Sequence, residues 1–356
     1  MRLYKTLHFQ YVTFFMLKNL LSRIAYSTNH INILKPSSIT FDVTDRCPLR
    51  CKTCGKWISK GERQELDTRS WKAVISALQN WLGNYRVCLS GGEPFLREDI
   101  FDIISFARKQ NVYVTAVSSG YPIDEAMAKK IADSGLNGLS ITLNGITPST
   151  HDFTRGVEGS YERALRAIEL LNTSKKNMFV CVETVLMENN QREIPGLIEF
   201  TKAKKLNGIS FQALYNKSSF LPYDYNHHFQ EENAWYLDNS LWPKDSNKMR
   251  STIDEIIEYK KKGYLIGNSV ESLTWMKRYF QNPKELLAVK CMVGISNFSI
   301  DPYGETRLCF SMGSIGNVLL QTPKQIWHGK KAVLQRKAVK GCKNTCRILM
   351  CNFYDT

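Results

Sequence analysis

Between residue 37 and about residue 215, short apolar runs alternate with amphipathic stretches. Residues 38–43 alternate apolar with polar and read as a strand. Residues 68–82 set Trp71, Val74, Ile75, Leu78, Trp81 and Leu82 on one helical face, with Asp67 or Thr68 as N-cap and Gly83 as stop. The pattern then predicts a strand at 86–89 and a helix at 97–110 that buries Ile100, Ile103, Ile104 and Ala107. It continues with strand 112–117, helix 124–134, strand 138–143, helix 161–171, strand 179–186, helix 191–205 and strand 209–214. Strands rich in Val, Ile and Leu, joined by helical crossovers, predict an α/β fold with a parallel sheet covered by helices. Periodicity alone leaves open whether that sheet is flat or curled.

The rhythm breaks after Tyr215. Residues 216–248 are rich in Asn, Tyr, Pro, Trp and His and read as an irregular connection, followed by helices at 251–262 and 269–280. From about residue 286 a short module begins, with a hairpin at 298–300 and 306–308 around the turn Asp301-Pro302-Tyr303-Gly304. A helix-like stretch at 323–340 follows. At the other end, Leu3, Leu7, Phe14, Leu17, Leu21 and Ile24 recur at helical spacing. That helix packs on its own domain or lies on a membrane surface, since its apolar run is too short to span a bilayer. The expected units are 1–36 (helical segment), 37–225 (α/β domain), 226–285 (connector) and 286–356 (cysteine-bearing module).

The composition, 43% hydrophobic and 23% charged over 356 residues, is that of a folded globular chain. Lys and Arg number 48 against 33 Asp and Glu, a formal charge of +15 that invites a nucleic-acid or membrane-surface partner. No RNA-binding module is recognisable, however, and the lysine runs fall mostly at helix ends, where cations offset the helix dipole. Nucleic acid is therefore not the expected partner. The ten cysteines cluster: Cys47, Cys51 and Cys54 early, Cys342, Cys346 and Cys351 late. Clustering in a chain this long points to metal before disulfides. With no convincing secretory cleavage site, reduced cysteines in the cytoplasm are expected, with peripheral membrane contact only through the N-terminal helix.

Cys47-Pro-Leu-Arg-Cys51-Lys-Thr-Cys54 places three soft thiolates on the loop after the first strand, enough for three corners of a cubane iron–sulfur cluster. Structural zinc wants four closed ligands, and no local residue completes the set. Ser90-Gly91-Gly92-Glu93-Pro94 ends the second strand. Glycine there lets backbone approach a ligand closely, at the end of the sheet where parallel α/β proteins bind small molecules. The triplet and the Gly-Gly-Glu strand end together resemble the radical S-adenosylmethionine (SAM) superfamily over about residues 37–225.

The resemblance implies a partial (β/α)6 barrel in which Cys47, Cys51 and Cys54 ligate a 4Fe-4S cluster whose open iron chelates SAM. It implies that Gly91, Gly92 and Glu93 position the SAM amino group. Ser119, and Thr142 with Asn144, would be further SAM contacts at the ends of the third and fourth strands, the latter pair at the ribose. Arg155 would pair with the SAM carboxylate through its planar fork. Relatives often carry Ser and Asp where Thr142 and Asn144 stand, and an apolar or aromatic residue at Thr53.

The distal cysteines resemble the C-terminal module called SPASM, or its truncated form, twitch. That likeness implies an auxiliary 4Fe-4S cluster on Cys291, Cys309, Cys342 and Cys346, with Cys351 as an alternative to either of the last two. A small zinc ribbon or plain thiols are the other readings. Only five cysteines lie in this module, which suits twitch better than full SPASM. The superfamily likeness further implies a flavodoxin- or ferredoxin-type reductase and a 5′-deoxyadenosyl radical that takes a hydrogen atom from the substrate.

No catalytic side chain is assigned. Cys88 and Cys181 read first as buried strand thiols, while Glu183 and Gln212 share the strand parity that would face a barrel interior. The main expectation is a small-molecule, carbohydrate-type substrate, because the first 36 residues are too few for a separate peptide-binding domain. The alternatives are a peptide modifier, an RNA-modifying radical enzyme, and a non-catalytic iron–sulfur electron carrier.

Overall fold

The computed structural model describes residues 24, 35–58, 63–174, 176–215 and 235–348. The amphipathic N-terminal stretch apart from Ile24, most of the irregular connection (216–234), and Cys351 lie outside the described residues.

Six parallel strands form the body of one sheet: β1 (Ser38–Thr44), β2 (Arg86–Gly91), β3 (Tyr113–Ser118), β4 (Gly138–Thr142), β5 (Phe179–Leu186) and β6 (Ile209–Ala213). They lie in chain order from one side of the sheet to the other. The crossovers contain helices α1 (Thr68–Leu82), α2 (Ile100–Lys109), α3 (Glu125–Asp133), α4 (Pro148–Arg155), α5 (Ser160–Ser174) and α6 (Ile194–Ala203). Period-two alternation decides which residues meet these helices. Ile39, Phe41 and Val43 are buried, and Phe41 packs on Trp71 of α1 with ring centroids 4.8 Å apart. The opposite face carries Thr40, Cys88, Thr115, Ser140 and Glu183, all half-buried, and Asp42.

That second face curls inward. In a flat sheet β2 and β5 would stand about 14 Å apart, three strand spacings. Yet the Glu183 carboxylate is close enough to Cys88 to raise its thiol pKa. A curled parallel sheet with a polar interior is the partial barrel expected from the sequence.

After β6 come α7 (Ser246–Lys261) and α8 (Val270–Gln281), then α9 (Val293–Ser296), β7 (Asn297–Ile300), β8 (Glu305–Arg307), β9 (Gly316–Asn317), α10 (Pro323–His328) and α11 (Lys330–Gly341). Strand β7 pairs parallel to β1, with Ile39 opposite Phe298, so the hairpin extends the barrel sheet to nine strands. Hydrophobic periodicity carries no information about pairing partners this far apart in sequence.

Four helices differ from the sequence pattern. The one expected at 251–262 starts at Ser246, because the Asp245 side chain caps it by accepting from Asn247 N and Lys248 N. The one expected at 97–110 starts at Ile100, because Arg97 is spent on cross-links: its guanidinium donates to Val43 O (3.0 Å) and Leu66 O (2.6 Å) and pairs with Asp99. The stretch 323–340 is two helices parted at Gly329, whose extended backbone caps one and starts the next. Helix α4 was not expected, although Thr147 as N-cap, Pro148 at the first position and left-handed Gly156 at the end are ordinary helix punctuation.

Candidate functional site

The loop carrying Cys47, Cys51 and Cys54 leaves β1 and is fastened on two sides. On one side, Gly92 N donates to Thr44 O (2.7 Å) and Glu93 N to Arg46 O (2.8 Å). A Cβ at Gly91 would lie 2.4 Å from Thr44 O, and one at Gly92 only 2.3 Å from Arg46 O. Both approaches are backbone to backbone, so only glycine fits. On the other side, Arg50 N donates to Arg155 O (3.0 Å) and Lys52 N to Thr154 O (2.9 Å), zipping the loop to the end of α4. Gly156 has φ +68°, and a Cβ there would meet Arg50 O at 2.4 Å.

Glu93 is buried where β2 and β3 end. Ser118 Oγ donates to its Oε1 (2.8 Å) and Ser119 N to its Oε2 (2.8 Å), and Ser119 Oγ also donates to Oε2. Burial raises its pKa, and the serine hydrogen bonds oppose that rise. Glu93 and Ser119, both expected at the site, are thus brought together. Thr142 stands at the end of β4, where its carbonyl accepts from Arg155 Nη2 at 3.1 Å.

Arg155 is the joint of the arrangement. It is buried, and its Nη1 lies 3.5 Å from Cys51 Sγ. Its Nε is buried and has no hydrogen-bond partner. A buried guanidinium N–H without an acceptor is costly. An anionic group against Cys51 would satisfy it.

Asn144 takes another place than the expected ribose contact. It is 1% exposed, its Oδ1 accepts from Val185 N (3.1 Å) and its Nδ2 donates to Thr154 Oγ1 (3.4 Å). Its carbonyl accepts from Asn190 Nδ2 at 2.9 Å. It therefore ties β4, β5 and α4 together and has no free surface to offer a ligand. Sequence reasoning also passed over His151, which is fully buried and whose Nδ1 accepts from Asn144 N (3.1 Å). Burial, then the Arg155 charge, lowers its pKa to about 3, so the ring is neutral. It lies one turn before Arg155 on α4, a spacing that the sequence does show.

Burial raises the Cys47 thiol pKa to about 11, and the Cys51 and Cys54 thiols add to the rise. Three thiols that disfavour one another's ionisation are a set that iron relieves. The three thiols on one loop, the glycine-only approach and the orphaned Arg155 Nε fit a three-cysteine cluster with a chelating cofactor that carries a carboxylate.

The distal cysteines lie on the hairpin segment and after α11, and among the described residues no three of His, Cys, Asp and Glu stand ready-made to hold a metal ion. Burial raises Cys309 to about 12, with Cys291 and Cys342 contributing. Cys291 and Cys309 pack on Val293, Met312 and Val339. Cys342 caps α11, and Cys346 opens a 3-10 turn at Cys346–Ile348. The neighbouring Arg347 donates to Leu287 O (2.7 Å), Val289 O (2.6 Å) and Cys342 O, holding that turn against the approach to Cys291. The hairpin also touches the first site: Tyr303 hydrogen-bonds Asp45, and Leu66 N donates to Pro302 O at 2.7 Å.

Comparison with known proteins follows this division. The sequence model of the radical SAM superfamily matches residues 41–201, and that of the SPASM iron-sulfur cluster-binding domain matches residues 291–352. The chain is 26% identical over 314 residues to Fe-coproporphyrin III synthase of Methanosarcina barkeri, covering 82% of this chain and 74% of that protein. It is 29% identical over 198 residues to PqqA peptide cyclase of Rhizobium meliloti, 53% of this chain and 52% of that one, so the match spans about half of each. Among solved structures, Streptococcus suis SuiB bound to precursor peptide SuiA superposes with a TM-score of 0.65 at 13% identity, covering 88% of this chain and 69% of that one. That likeness is one of fold. Among the described residues, no helix is long and apolar enough to cross a membrane.

Proposed function

Because this chain belongs to the radical SAM superfamily and carries a C-terminal SPASM-type iron–sulfur domain, we propose that it is a peptide-modifying enzyme that forms a C–C or thioether cross-link or inverts a stereocentre. Its cofactors are a SAM-binding 4Fe-4S cluster, SAM and auxiliary iron–sulfur. Bound together, the first cluster and SAM supply a hydrogen-atom acceptor strong enough for an unactivated C–H bond.

The chain's own residues do the rest. Cys47, Cys51 and Cys54 hold the cluster. Gly91 and Gly92 keep the cofactor against the loop, and Glu93 locks the ends of β2 and β3 beneath it. Arg155 orients the cofactor's carboxylate, and Thr142 fixes Arg155. Cys291, Cys309, Cys342 and Cys346 hold the auxiliary cluster. The curled inner face, with Ser140 and Glu183, excludes bulk water and aims the substrate.

The observation that carries the enzymatic reading is the buried, unsatisfied Arg155 Nε beside Cys51. For the substrate, the PqqA peptide cyclase relatives favour a peptide over the small molecule expected from the sequence. A second reading has its own support: an Fe-coproporphyrin III synthase and an AdoMet-dependent heme synthase match 82% and 88% of this chain, which favours tetrapyrrole chemistry, although a PqqA peptide cyclase matches 90% of it.

One experiment separates these. Reconstituted, reduced protein is given SAM deuterated at its 5′ position in H2O, or unlabelled SAM in D2O, with Fe-coproporphyrin III or with a mixture of synthetic peptides. Loss of two hydrogens from a peptide, or solvent deuterium gained at one of its stereocentres, supports the proposal. Change in the tetrapyrrole alone overturns it in favour of the second reading.

A further inference from the structure

Most carboxylates inside this fold are met by a cation or by several hydrogen-bond donors. Asp42 pairs with Lys56. Glu93 accepts from Ser118 and Ser119. Asp152 accepts from Gly159 N, Ser160 Oγ and Tyr161 N, and Glu193 from Ile146 N and the hydroxyls of Thr147 and Thr150. Glu183 differs. It is in no ion pair among the described residues. No lysine or arginine charge offsets its desolvation, and one hydrogen bond with Ser140 is all that favours its ionised form. A carboxylate so poorly matched costs stability, and such groups are retained where function needs them.

Its place in the barrel points to that function. Val182 and Thr184, its neighbours along β5, are buried on the opposite, helix-covered face. Glu183 alternates to the inner face and is half-buried there, so its remaining exposure opens into the lumen. Across the sheet it is paired with Thr142 of β4. The Thr142 carbonyl accepts from Arg155 Nη2 (3.1 Å), and Arg155 Nη1 lies 3.5 Å from Cys51 Sγ. Glu183 is thus one strand away from the residue that anchors Arg155, at the cofactor's end of the barrel. The wall beside it brings no competing charge: Ser140 and Thr142 carry hydroxyls, and the Cys88 thiol is held protonated, its pKa pushed up to about 12.

We propose that Glu183 is the specificity residue of the barrel, its carboxylate receiving a protonated amine or guanidinium of the substrate. In a peptide that group is a Lys or Arg side chain. The inference rests on the peptide-modifying reading above and adds the charge of the substrate to it. A cation seated there completes a buried pair that the fold itself leaves half-made. The methylene stem of Lys or Arg suits the uncharged wall. With its tip fixed, the stem holds its C–H bonds near the cofactor's end of the barrel. Glu183 forms no covalent bond; it holds the side chain by charge and hydrogen bonds.

The test uses the full, reconstituted and reduced protein with SAM and pairs of synthetic peptides. The members of a pair differ only in carrying lysine or uncharged norleucine, or arginine or uncharged citrulline. Loss of two hydrogens, or deuterium gained from D2O, is read by mass spectrometry. Wild type is expected to modify the cationic member at least roughly tenfold faster at low peptide concentration. Glu183→Gln is expected to level each pair, and Glu183→Lys to turn the preference to the same peptides with glutamate at that position, a reversal that mere damage to the fold does not produce. A wild type indifferent to the charge, or a preference that survives in Glu183→Gln, would overturn the cation site. If no peptide of either kind is modified, the peptide reading fails, and urea unfolding in n-butylammonium chloride against equimolar sodium chloride still decides the site. A midpoint raised in wild type and not in Glu183→Gln supports it. No rise in wild type, or the same rise in both proteins, removes it.

Discussion

Arg155 Nη1 faces Cys51 Sγ at 3.5 Å, across 104 residues of sequence. The contact joins the end of α4 to the cysteine loop, and it leaves the Arg155 Nε aimed without an acceptor. Arg155→Lys keeps the charge and loses the fork. Hydrogen bonds to charged groups are worth about 1.5–3 kcal/mol, so SAM affinity is expected to weaken roughly tenfold to a hundredfold. Iron content should be unchanged. Equilibrium dialysis of SAM beside an iron assay checks both, and an unaltered SAM affinity would remove Arg155 from the cofactor site.

Gly92→Ala is expected to be severe. Its Cβ would sit 2.3 Å from Arg46 O and 2.8 Å from Arg46 C, both backbone atoms that cannot swing aside. The start of the cysteine loop has to move. Reconstituted iron should fall from about eight to about four per chain, because only the auxiliary cluster keeps its site. Gly83→Ala is a fair control for local effects, since nothing lies within 4 Å of its Cβ position, although its φ of +75° costs some stability. A Gly92→Ala protein with full iron would show that the close approach is not what holds the loop.

Much of this arrangement was legible in the sequence. Strand β5 has the bounds that its apolar–polar alternation predicts, and the triplet and Gly-Gly-Glu lie on neighbouring strand ends, as their spacing implied. What could not be read was the second use of each polar residue. Asn144 suits a ribose by type, yet its amide is spent within the fold on Val185 and Thr154. His151 was visible only as a letter near Arg155. The parallel pairing of β7 with β1 joins segments more than 250 residues apart, and no local period encodes it. Arg97 looked like the first residue of a helix because helix-forming residues follow it, whereas tertiary hydrogen bonds claim its side chain.

Glu183 gives a pH-dependent prediction. It lies on the inner face, its side chain hydrogen-bonds Ser140, and burial raises its pKa above the usual 4.5. The folded protein therefore keeps this proton to higher pH than the unfolded chain does. As pH climbs past 4.5, the unfolded chain ionises first and stability drops until the folded carboxyl ionises too. Glu183→Gln removes that loss. The variant should be more stable than wild type at neutral pH, by about 1 kcal/mol, and the gain should vanish in acid. Urea unfolding at pH 7.5 and below pH 4.5 tests it. A gain that is the same at both pH values would come from something other than this ionisation.

The auxiliary thiols give the last prediction. The Cys291 and Cys342 thiols help to raise the pKa of Cys309. Arg347, the neighbour of Cys346, bonds to Cys342 O, Leu287 O and Val289 O, which ties that turn to the segments that carry Cys342 and Cys291. A cubane with four thiolates does not survive loss of a ligand as well as one that already has an open corner. Cys309→Ala should therefore lower reconstituted iron from about eight to about four per chain, while dithionite-driven cleavage of SAM, which needs only Cys47, Cys51 and Cys54, continues. Formation of modified substrate should stop if the auxiliary cluster takes part in the chemistry. Cys346→Ala should behave like Cys309→Ala, and Cys351→Ala should keep full iron. The reverse pattern, with iron lost in Cys351→Ala and kept in Cys346→Ala, would move the fourth ligand to Cys351. Full iron in Cys309→Ala would mean that the hairpin thiol is no ligand.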